Sequence, residues 1–166
     1  MSERVYKNIL LSGVAAILTF SVIARGAVRL WSGAVVLLAS FTLIFLWLMR
    51  INNRSDNEKK SFFATALVKP IIILAVTAVV SLFFSICKHD SIYALLWLLG
   101  YAGIYYLIAN EFDHKMVKGL LHIAVTIGAG ISLYGLMQYF GIFPHRWWMS
   151  EDLVSATYVN HNHFAG

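Results

Sequence analysis

Five uninterrupted apolar stretches, each long enough to form a helix spanning a hydrocarbon layer of about 30 Å, constrain this chain more than any other feature. They run over about residues 6–24, 30–49, 67–86, 92–109 and 120–140. None alternates apolar and polar residues in ten-residue units, as the strands of a membrane barrel do. A helix satisfies its backbone hydrogen bonds within the segment, which a lipid solvent demands. Composition removes the soluble alternative: the chain is 60% hydrophobic and 13% charged, against roughly 45–50% and about 25% in soluble domains. The expected fold is all-α: a polytopic transmembrane helical bundle of about five spans over residues 1–140, followed by a segment outside the membrane over 141–166.

Arg4 and Lys7 ahead of the apolar run Ile9 to Ala24 resemble the first two regions of a signal peptide. Arg25 interrupts the small-residue pattern that cleavage needs, and a second apolar run follows at once, so the first stretch reads as a retained span. The breaks between spans are polar: Arg25-Gly26, the run from Arg50 to Lys60, a tight turn at Lys88-His89-Asp90, and a loop over residues 110–118.

The net charge is +5 and the pI about 9.4. In a soluble protein that balance would raise the question of nucleic acid; here the basic residues lie in short blocks between spans and act as topology determinants. With a cytoplasmic N-terminus, the inner segments hold Arg4, Lys7, Arg50, Arg54, Lys59, Lys60, Lys69, Lys115 and Lys118, and the outer ones hold Arg25, Arg29, Lys88 and Arg146, nine against four of the 13 basic residues. The N-terminus is expected inside, and the tail from Gly141 on the periplasmic face. Trp147-Trp148 suits an interfacial aromatic belt there, whereas Arg25 and Arg29 run against the bias.

Within the spans, Lys69 and His122 lie within a turn or two of the inner face and are read as snorkelling side chains. No Asp or Glu falls mid-span, which argues against an ion pump or proton-coupled transporter. Tyr93, Trp97, Tyr101 and Tyr105, four residues apart, form an aromatic stripe on the fourth span, read as packing and anchoring rather than as a sugar platform. Gly100 and Gly103 there, with Gly128, Gly130 and Gly135 on the fifth span, allow close helix approach. Pro70 falls in the first turns of the third span, where its missing N–H costs little. Cys87 is the one cysteine and can form no internal disulfide.

The tail is different in kind. It gathers Arg146, Glu151, Asp152, Thr157, Asn160, Asn162 and three histidines, His145, His161 and His163. An HxH pair without the usual zinc spacings does not define a metal site, and no metal is assigned. The last eleven residues, Ala156-Thr157-Tyr158-Val159-Asn160-His161-Asn162-His163-Phe164-Ala165-Gly166, resemble a signature of the bacterial O-antigen ligase and O-antigen polymerase-like membrane proteins. That pattern runs approximately Thr-aromatic-small-Asn-x-Asn-His-Leu/Phe-Ala-Gly after a periplasmic stretch. Thr157, Tyr158, Asn160, Asn162, His163, Phe164, Ala165 and Gly166 match it. His161 departs from the commoner Pro or Arg, and Val154-Ser155 stand where the family often has an arginine.

The resemblance implies a glycosyltransferase of the bacterial inner membrane. Such an enzyme moves a glycan from an undecaprenyl-pyrophosphate donor to lipid A–core or another acceptor at the periplasmic face, without metal or nucleotide cofactor. It implies Asn160, Asn162 and His163 as substrate-binding residues near the glycan–pyrophosphate group, with Arg146 as a further anion contact. Asn and His side chains also satisfy backbone groups where a loop re-enters a helix, and that alternative stays open. The family's principal catalytic residues lie in a later periplasmic loop. This chain is therefore expected to represent the N-terminal portion of such an enzyme, its catalytic residues unknown, and to be inactive alone. Membrane lipids are expected partners and nucleic acid is not. The competing reading is a non-enzymatic membrane scaffold or accessory subunit of envelope assembly.

Overall fold

A computed structural model describes residues 2–24, 27, 29–52 and 67–142. These form five helices: α1 (Glu3–Ile23), α2 (Leu30–Asn52), α3 (Val68–Phe84), α4 (Lys88–Glu111) and α5 (His114–Tyr139). No strand occurs among the described residues. Each helix grows from one of the five apolar stretches, and four of them, α1, α2, α4 and α5, are long and apolar enough to cross a membrane. That is the arrangement of a multi-pass membrane protein. Three threonine hydroxyls within the helices bond to their own backbone: Thr19 Oγ1 donates to the Ala15 carbonyl, Thr42 Oγ1 to Leu38 and Thr77 Oγ1 to Ile73, each at 2.8 Å. Such back-bonding lets a hydroxyl lie in lipid without a partner from another helix.

Three expectations are corrected. The third span, expected over 67–86, is a helix of 17 residues, Val68–Phe84, about 25 Å long and thus shorter than the other four. It stops because Ser85 turns extended, with ψ 134°. The expected turn at Lys88-His89-Asp90 is instead the first turn of α4. The chain reverses over residues 85–87, where the Ser85 and Ser91 hydroxyls lie 2.6 Å apart and Ser91 Oγ also donates to the Cys87 carbonyl at 3.2 Å. Asp90 in that first turn complements the positive end of the helix dipole. The loop expected over 110–118 contracts to Phe112 and Asp113. Phe112 is extended, with ψ 130°, and its N–H caps the Ile108 carbonyl. Helix continues beyond the apolar window at these ends because polar residues propagate a helix nearly as well as apolar ones.

The chain divides into two units, one of residues 1–10 and 37–113, the other of residues 11–36 and 114–166. In the first, α3 packs along α4 as a hairpin. The side chains of α2 reach α4 in ascending order on both helices. A Cβ on Gly100 would touch Leu37 at 3.4 Å, a Cβ on Gly103 would collide with the Ile44 side chain, and Trp47 bonds Glu111. The two helices therefore run in the same direction. In the second unit, Phe20 and Trp31 meet edge to face at 6.2 Å, and α1 and α5 together line an apolar groove.

Burial follows a helical rhythm. On α2 the buried positions are Ser32, Gly33, Val36, Leu37, Ser40, Leu43 and Trp47, and on α4 they are Gly100, Leu107 and Glu111. These are the i, i+3, i+4 and i+7 positions of a single helix face. Large apolar residues remain exposed elsewhere, among them Leu38, Phe83, Phe84 and Val125. On a soluble protein such faces would drive aggregation; on a membrane helix they meet lipid.

Candidate functional site

The sequence-derived site residues Arg146, Asn160, Asn162 and His163 lie outside the described residues, as do the histidine and carboxylate group around them and the Arg25-Gly26 break. What the structure does describe is how the chain arrives there. α5 ends at Tyr139, and Gly141 follows with φ +67°. Ile142 N–H donates to the Met137 carbonyl at 3.0 Å and Gly141 N–H to the Gln138 carbonyl at 3.1 Å. This is the paired 6→1 and 5→2 bonding of a Schellman cap, which needs a left-handed residue and therefore favours glycine. Tyr139 and Phe140, both exposed and 5.3 Å apart edge to face, put aromatic rings at this helix end, as membrane–water boundaries favour. α5 thus ends in a defined turn at Gly141.

The aromatic stripe of α4 is only partly continuous. Tyr93 and Trp97 meet at 6.1 Å and Trp97 and Tyr101 at 5.4 Å, but Tyr105 pairs with Tyr106 at 5.5 Å instead of extending the ladder. The three-ring ladder sits on one helix. His122 is exposed and its Nδ1 donates to the Lys118 carbonyl at 2.7 Å, and Lys69 is exposed in the first turn of α3. Both lie near helix starts, in keeping with side chains that reach for water.

The described residues also hold a polar cluster that sequence reasoning missed. Glu111, only 4% exposed, ends α4 and accepts a hydrogen bond from Trp47 Nε1 at 3.2 Å. One turn beyond Trp47 on α2, the Arg50 guanidinium lies 4.1 Å from the centre of the Tyr6 ring, a cation–π contact. Sequence placed Glu111 in a short loop because the apolar window closes at Ala109. The partner that buries it lies 64 positions away, and no local pattern reports that pairing. The cluster ties together the starts and ends of three helices. The bond between the Trp47 indole N–H and the Glu111 side chain helps to fix α2 against α4. Neither a protein-family model, nor a curated protein, nor a solved structure matches this chain.

Proposed function

We propose that this chain is part of a membrane glycan ligase or polymerase of the O-antigen ligase type, taking its donor at the outer face of the bacterial inner membrane. The observation that carries the reading is the C-terminal segment Ala156 to Gly166, with Asn160, Asn162 and His163 at motif positions. Its place supports the reading too: the segment follows the last of a series of apolar helices, beyond an aromatic-flanked helix end.

Five crossings with a cytoplasmic N-terminus put this segment outside. The charge bias supports that, and so does the shared direction of α2 and α4. Two parallel neighbours require the chain between them to return across the membrane, and α3 is the helix available for it. Its 17 residues suffice if the bilayer thins locally or flanking Lys69 snorkels, at a cost of fractions of a kcal/mol per Å.

The chemistry is a displacement at the anomeric carbon of the glycan. An acceptor hydroxyl oxygen forms the new C–O bond and its proton passes to a base. The bond to the carrier's phosphate oxygen breaks, and undecaprenyl pyrophosphate departs with the electron pair. Asn160, Asn162 and His163 would donate hydrogen bonds to the glycan and pyrophosphate oxygens, and Arg146 would pair with the departing charge.

The test is genetic and chemical. Deleting the gene in its host should abolish transfer of the lipid-linked glycan and leave undecaprenyl-linked material to accumulate, read on gels and by lipid mass spectrometry. Restoring the gene with Asn162→Ala or His163→Ala should give protein at the normal level with transfer reduced at least tenfold. Unchanged surface glycan in the deletion strain would defeat the reading.

A further inference from the structure

We draw no further inference here: the strongest candidate, the open apolar groove between α1 and α5 walled by Leu18, Val22, Ile127 and Ile131, carries nothing because nothing in the structure shows what covers it.

Discussion

Gly141 is the residue on which the exit from α5 depends. Its φ of +67° is a region where a side chain costs roughly 1–2 kcal/mol. Gly141→Val should therefore lower stability by about that amount, measured by unfolding of the detergent-solubilised protein in SDS; an unchanged midpoint would mean that the cap is not formed. The Trp47–Glu111 bond makes a second residue-scale prediction. Trp47→Phe keeps most of the buried ring but removes the N–H that Glu111 accepts, and leaving a buried hydrogen-bonding group without that partner costs about 1–3 kcal/mol. The same SDS assay reads it, and Trp47→Phe as stable as wild type would show that the bond contributes nothing. Of these two features, the glycine at a helix end can be found in sequence because Gly141 follows the last apolar residue directly. The Trp47–Glu111 pair cannot, because its geometry is set by how α2 lies on α4.

At the scale of elements, the apolar stretches located every helix, and what they could not locate was the ends. α4 begins four residues before the apolar window and α5 six residues before it. Lys88 to Ser91 are polar, and in His114 to Gly119 only Met116 and Val117 are apolar, so a hydropathy window passes over both stretches although both are compatible with helix. α3 errs the other way: Ser85 ends a run that remains apolar through Ile86. Glycines separate packing from mere space more sharply than the sequence does. Gly100, Gly103, Gly128 and Gly130 all read as sites of close approach, but a Cβ at Gly103 would lie 2.8 Å from Ile44 Cγ1 whereas Gly128 and Gly130 have nothing within 4 Å. Gly103→Leu should accordingly destabilise the contact of α2 with α4 by about 1–3 kcal/mol through overpacking, and Gly130→Ala should not destabilise at all. Equal effects of the two substitutions on SDS unfolding would contradict the α2–α4 contact.

On the scale of the whole molecule, the sequence sets the all-helical, membrane-crossing character almost alone, because so few polar residues leave the chain no other solvent. The proposed active segment is legible only as a motif. Asn160, Asn162 and His163 stand beyond the described helices, and no spacing rule states what a loop of Asn and His binds. On the proposed reading the chain crosses an odd number of times, the short α3 crossing like its neighbours, and the motif and the N-terminus lie on opposite sides of the membrane. The most direct measurement replaces Cys87 by serine and then introduces single cysteines as Ser2→Cys or Ser155→Cys, labelled in cells with a membrane-impermeant maleimide after opening only the outer membrane. Ser155→Cys should label at once and Ser2→Cys only after the inner membrane is permeabilised. Labelling of both from the same side would mean an even number of crossings and would remove the motif from the face where its proposed substrate lies.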